Sequence, residues 1–482
     1  MHTRMAKNLL SAKNLLPVLN ATSLSFSRLF ETKRKQGVLG EAEARVYSNV
    51  EECLREGVRR AKNEASVYSI YASFSKGCLL KAYTEEAAIL GLLAYECALT
   101  FKGKETLAGR DWGEGFAHAY EIAKTLYDGP ILFEDASIVA EAYARRIEDL
   151  DGLIALFRGP HEPMKGAEVF YDFLKAQAMG FASPLTLKED GPFDDLSKAR
   201  LELDGYHLTF TLQFLNAKHK EFDEEGYLAC LHANGSNVFY ETKGTQIHVD
   251  METFTPAPIL EKSQEYGEFV TLQLKNRYVE TLDKTPLYFR NKRPSIGDRA
   301  VVSVVPSKKC ANLFLDLGAE VVYEEEAGRT SIDELLRLFK KSSCRNVIFL
   351  PASKRLYLLG KIASRLLEEK NVIVLRSSTL QQAYFALSDA LFEEEGIDAL
   401  LDSLNAGLTN IIPLEAKKGQ LLKVLSAYEG IEDAEFCFVM YGGDVKEIND
   451  AKAALEDINP YLEVGELDLG LDEETYLLGV SK

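Results

Sequence analysis

The segment Asn346–Asp389, NVIFLPASKRLYLLGKIASRLLEEKNVIVLRSSTLQQAYFALSD, constrains the fold more than any other. Val347–Leu350 and Val372–Leu375 are short, uninterrupted apolar runs, the pattern of strands buried on both faces of a parallel sheet. Helix-period sequence follows each run. In the first, Leu358, Leu359, Ile362, Ala363 and Leu366 fall on one stripe. The segment therefore reads as two strand–helix units in succession. Each strand ends in small or polar residues, Pro351-Ala352-Ser353 and Ser377-Ser378-Thr379, and open α/β sheets bind ligands at such strand ends.

The rest of the chain gives a multi-domain α and α/β architecture. Residues 1–181 read as an all-α bundle, with helical spacing through 50–62, 85–101, 113–127 and 137–157 and Gly or Pro between them. A polar, proline-containing linker is expected over 182–199. Residues 200–290 switch to period 2: Tyr206, Leu208, Phe210, Leu212 and Phe214 alternate with polar residues, predicting a half-buried strand in a small α+β domain. Further strands are expected near 238–240, 246–251 and 269–274, with a short helix at 258–266. Residues 298–414 form an α/β lobe and 415–482 a second, smaller one, with strands at 436–441 and 476–480 flanking a helix at 445–458.

The formal net charge of -18 argues against nucleic acid as a main partner, because phosphate contacts need clustered Lys and Arg. The seven cysteines form no close pair, which suggests reduced, buried thiols in a cytoplasmic protein. The basic N-terminus lacks a continuous apolar core and a small-residue cleavage site, so a secretory signal is not expected. No run reaches the ~20 apolar residues of a spanning helix.

Taken in order, the segments resemble the catalytic subunit of bacterial fatty acid kinase. The matching stretches are FSKGCLLKAYTEEAAILGLLAYECALTFKGKETL from Phe74, GSNVFYETKGTQIHVDMETFTPAPILEKSQEYGEFVTLQL from Gly235, residues 346–387, and FVMYGGDVKEINDAKAALEDINPYLEVGELDLG from Phe438. The resemblance implies a helical domain like the L subunit of dihydroxyacetone kinase, then a middle domain and a C-terminal α/β region. It also implies Mg-ATP chemistry and a DegV-like fatty-acid-carrying partner. Self-association through the helical domain, a possible homodimer, would be a further family trait.

The phosphate-handling motifs implied by the resemblance are altered. Where the family has a glycine-rich turn beside the nucleotide phosphates, this chain has Lys81-Ala82-Tyr83-Thr84-Glu85-Glu86-Ala87. Thr84 and Ala87 replace glycines that let backbone N–H groups approach phosphate. Glu85 and Glu86 add like charge. A continuous helix across 79–99 is the expected alternative. The Mg²⁺-binding aspartates are missing; Glu41 and Glu43 are the nearest carboxylates, and an ordinary Glu-rich helix start after Gly40 explains them better. Pro130 and the segment His161–Gly166 depart from two further family turns.

In the middle domain the family's zinc-type positions correspond to His207, His248 and Asp250. His248 and Asp250, two residues apart on one strand, share a face, and imidazole and carboxylate are acceptable Zn²⁺ ligands. The alternative is a pair of ordinary strand histidines near an acid. Three functional expectations result. The first is a kinase relative that has lost phosphotransfer and binds a DegV-like protein or a kinase paralogue. The second is an active Mg-ATP-dependent kinase using Glu41 and Glu43. The third is a metal-dependent hydrolase at His207, His248 and Asp250.

Overall fold

The computed structural model describes residues 10–126, 206–215, 222–253, 256–276, 287–289, 299–325, 328–390, 396–443 and 445–481, with Phe392 and several positions between 168 and 177. The helix expected over 137–157, Pro130, the segment 161–166 and the linker 182–199 lie outside the described residues. The chain divides into two compact units, Met1–Thr186 with Leu287–Lys482, and Leu187–Pro286.

The first unit begins with helices. A two-residue strand β1 (Leu10–Ser11) leads into α1 (Ala12–Gln36), followed by α2 (Glu41–Ala61), α3 (Val67–Lys81) and α4 (Glu85–Leu99). β2 (Thr106–Leu107) pairs back on β1, and α5 (Gly109–Leu126) follows. Close approach of α2 and α3 depends on small residues. A Cβ at Gly57 would sit 2.6 Å from both the Cys78 sulfur and the Phe74 carbonyl oxygen. α3 and α4 are separate helices, not the single helix expected over 79–99. The chain breaks at Ala82–Thr84, where Ala82 is extended and the Thr84 hydroxyl caps α4. The apolar stripe runs across the break, and periodicity alone could not reveal it.

Besides the β1–β2 pair, the described residues of this unit form two larger sheets. The first has strand order β11-β10-β8-β9-β7. Its strands are β7 (Leu287–Phe289), β8 (Arg299–Val305), β9 (Val321–Glu324), β10 (Asn346–Pro351) and β11 (Asn371–Val374). All neighbours are parallel except β7 against β9. The crossover helices are α8 (Lys308–Asp316), α9 (Ile332–Lys341) and α10 (Lys354–Leu366). Alternate residues feed different cores. Val302, Val304, Val347 and Phe349 pack with α9, α10 and the N-terminal helices. Val301, Val305, Ile348 and Leu350 pack with α8 and with two further helices, α11 (Leu380–Ser388) and α12 (Ile397–Thr409). Burial on both faces explains why β10 reads as an unbroken apolar run. β11 reads the same way, but it lies at the sheet's edge and its residues are half-buried or exposed.

The second sheet has order β12-β15-β13-β14. β12 (Ile411–Lys417) pairs along its length with β15 (Thr475–Ser481), so the division placed at 414 falls inside a strand. β13 (Phe436–Tyr441) runs parallel to β14 (Glu463–Asp468). α13 (Leu421–Ala427) and α14 (Lys446–Leu455) pack against this sheet.

The second unit is a four-stranded antiparallel sheet of order β4-β5-β3-β6: β3 (Tyr206–Phe214), β4 (Gly235–Lys243), β5 (Gln246–Thr253) and β6 (Gly267–Asn276). Leu208, Phe210, Leu212, Ile247, Val249 and Met251 are fully buried on one face. They pack against α6 (Glu224–Asn234) and α7 (Pro256–Gln264) through Tyr227, Leu231 and Ile259.

Candidate functional site

The turn Ala82–Thr84 stands where the resemblance places the nucleotide phosphates. It is organised by Asn49, a fully buried side chain on α2. The Tyr83 and Thr84 amides each donate to Asn49 Oδ1 at 2.9 Å, and the Thr84 hydroxyl donates to the same oxygen at 3.2 Å. Asn49 Nδ2 donates to the Lys81 carbonyl at 3.1 Å. A phosphate-cradling turn directs successive backbone N–H groups at its ligand. Here two successive N–H groups are engaged by a side chain of the same unit.

The carbonyls of the turn are engaged too. Ile332 N–H donates to the Ala82 carbonyl at 3.1 Å. Arg355, in the first turn of α10, donates through Nη1 to the Tyr83 carbonyl at 2.9 Å and to the Thr330 carbonyl at 3.2 Å. Its other terminal nitrogen pairs with Glu325, and both partners are largely buried. Glu325 also accepts from Thr330 N–H at 2.8 Å. Arg45 covers the Tyr83 ring, 5.8 Å from its centroid, and donates to the Gly328 carbonyl. The loop after β9 and the start of α10 therefore fill the turn. Glu86, beside it, is pushed above the ordinary carboxyl value by burial, as expected for a charge withdrawn from water.

Glu41 and Glu43 are exposed on the first turn of α2. Glu43 accepts from Gly40 N–H at 2.8 Å, which satisfies one of the helix's orphan amides. That is the helix-start arrangement, with Arg45 directed to Gly328.

The second unit brings two of its three candidates together. Thr209 lies opposite Asp250, and Thr211 opposite His248, in the antiparallel β3–β5 register. This places His207 diagonal to Asp250, with Nε2 2.9 Å from Oδ1. Thr209 donates to the other carboxylate oxygen at 2.9 Å. Burial raises the Asp250 pKa, but the His207 and Thr209 hydrogen bonds outweigh it and hold the carboxyl below its ordinary value. His248 instead pairs through Nδ1 with Thr211 at 3.2 Å and meets the edge of the Phe239 ring. Among the described residues no group of three or more His, Cys, Asp and Glu side chains is placed to hold a metal ion. The threonines opposite each candidate satisfy them separately.

An open cleft lies at the carboxyl ends of β8 and β10. β9 follows β8 on one side and β10 lies on the other, making this the topological switch point of the sheet. The cleft has a volume of about 350 Å³. Ser353 and Thr379, expected from the strand ends, line it beside Val304 and Leu477. Both hydroxyls also cap helices, accepting from the Leu356 and Gln382 amides. Among the described residues Glu325 and Glu415 line the cleft, and no Lys, Arg or His does. Glu325 is paired with Arg355, so Glu415 carries the charge that disfavours an anionic ligand there.

Comparison with known proteins places the α/β region. Residues 300–411 match the family model of the C-terminal domain of FakA-like fatty acid kinase proteins. This part of the chain is similar to that domain. An uncharacterized Staphylococcus epidermidis protein is 21% identical over 377 residues, 68% of this chain and 67% of that protein. One from Staphylococcus saprophyticus is 21% identical over 380 residues, 69% and 68% of the two chains. A Staphylococcus aureus protein is 20% identical over 294 residues, 60% of this chain and 51% of its own. Among solved structures, a DegV lipid-binding protein of Thermotoga maritima aligns with 38% of this chain and 98% of its own, at 10% identity. Its TM-score of 0.26 is too low to carry an argument.

Asn49, Glu325 and Arg355 were not evident as site residues from sequence. One signal was present: Lys354-Arg355 puts two cations in a helix's first turn, against the helix dipole. Such a placement points to a partner outside the helix.

Proposed function

We propose that the chain is a fatty acid kinase-related protein without phosphotransfer of its own, which acts by binding a DegV-like fatty-acid-carrying protein or a kinase paralogue. The observation that carries this reading is the capture of the Tyr83 and Thr84 amides by Asn49. The groups that would cradle a phosphate hold the protein together instead. The match over residues 300–411 supports the kinase-related part of the reading. In this scheme residues 1–181 are a closed helical domain, 200–290 a middle domain, and 298–482 the partner-recognising region.

The test is titration of a purified DegV-like fatty-acid carrier into the full chain, followed by incubation of the mixture with Mg-ATP. A saturable complex without acyl phosphate formation is expected. Acyl phosphate formation that Glu41→Ala and Glu43→Ala abolish would replace this reading with an active kinase.

A further inference from the structure

The resemblance implies a zinc-type group on the open face of the second unit, held by His207, His248 and Asp250. Strand register tests that fit. Thr209 lies opposite Asp250 and Thr211 opposite His248, so His207 stands four residues along β3 from the position that faces His248. At about 3.4 Å per residue, that is about 13–14 Å of strand. A tetrahedral Zn²⁺ bonds nitrogen and oxygen ligands at about 2.0–2.2 Å, which brings the ligating atoms within about 4 Å of one another.

Hydrogen bonds also direct the two imidazoles to different partners. His207 Nε2 is anchored on Asp250 Oδ1 at 2.9 Å, and Thr209 donates to the other carboxylate oxygen at 2.9 Å. His248 Nδ1 meets the Thr211 hydroxyl at 3.2 Å, and its ring packs on the edge of Phe239. The register is not free to gather these groups. Leu208, Phe210 and Leu212 on β3, and Ile247, Val249 and Met251 on β5, are fully buried on the other face. A one-residue slip would turn one of these sets to solvent. A larger shift would also break the β3 ladder with β6, which runs the length of the strand.

We propose that the second unit is built and kept without a metal ion, and that its open face carries a cross-strand polar clamp, His207–Asp250–Thr209, where the resemblance implies zinc. The clamp ties β3 to β5, and His248 stands outside it. The inference rests on strand register and is independent of the reading of the Ala82–Thr84 turn.

Metal analysis of the full chain, with Co²⁺ titration followed by visible absorption, tests it. Substoichiometric zinc and no saturable tetrahedral Co²⁺ signal at micromolar metal are expected. A chelator should leave the urea midpoint unchanged, whereas a structural zinc site loses stability on chelation. Thr209→His sets a second imidazole opposite Asp250 and two residues from His207. It supplies the spacing the parent lacks and should raise Co²⁺ affinity at least tenfold. A parent-like response from folded Thr209→His would overturn the claim that ligand spacing excludes the metal. A double-mutant cycle between His207→Ala and Asp250→Ala, read from urea midpoints, should show coupling, and additive effects would overturn the clamp. Stoichiometric zinc in the parent that the folded double variant H207A/H248A loses would overturn the proposal outright. Zinc that this variant retains is held elsewhere and agrees with a metal-free face.

Discussion

The Ala82–Thr84 turn and the switch-point cleft lie on either side of the Arg355–Glu325 pair, and their polar groups have opposite fates. At the turn, the amides of Tyr83 and Thr84 and the carbonyls of residues 81 to 83 are all engaged within the unit. In the cleft, Glu415 remains exposed and about 350 Å³ stays open. One region is an internal seam, and the other is open. The difference shows how one buried side chain, Asn49, can engage the backbone N–H groups that a phosphate-binding turn would direct at a ligand.

The comparison breaks most readily at Arg355. Arg355→Met leaves Glu325 without its cation and removes donors from two carbonyls. Breaking a buried pair this way costs about 3–5 kcal/mol, so a large shift in the urea midpoint is expected. A loss below about 1 kcal/mol, the range of a surface ion pair, would mean that the seam is solvated.

Asn49→Ala is the next largest. It strands two amides, a hydroxyl and a carbonyl, for a loss of about 2–3 kcal/mol by chemical denaturation. If the freed amides then donate to a phosphate, the variant should gain measurable affinity for Mg-ATP, which would sharpen the case that Asn49 occupies the phosphate position.

Glu56 tests the helical half in a different way. Burial raises its pKa, but hydrogen bonds from Arg59 and Arg60 outweigh that and leave it lowered from 4.5. Its contribution is therefore present above that ordinary value and is lost as pH falls through the lower folded one. Glu56→Gln should reduce stability at pH 7 by about 1–2 kcal/mol and flatten the acid limb of the pH–stability curve. An unchanged acid limb would contradict the assignment.

Glu43→Ala should cost about 0.5–1 kcal/mol, as loss of a helix cap, with no effect on ligand binding. Glu415→Gln, on the open side, should stay within about 0.5 kcal/mol of the parent, as for surface sites generally.

Much of the fold was legible because burial leaves a local periodicity. The unbroken run of β10 announced a sheet covered on both faces, and the alternation in β3 announced one face buried and one polar. β14 was missed because it is an edge strand whose residues are mostly exposed, giving no alternation to read. The site was less legible because its determinants are distant in sequence. Arg355 and Tyr83 are 272 residues apart, and no spacing rule links them. His207 and Asp250 meet only through strand register, which two separate strands do not disclose.

The most direct test of the central claim is isothermal titration of the full chain with Mg-ATP. The engaged amides of Tyr83 and Thr84 predict no saturable heat at micromolar to submillimolar nucleotide. Saturable binding at micromolar affinity, lost in a variant of the 81–87 turn that remains folded, would contradict the claim that this turn is a closed seam.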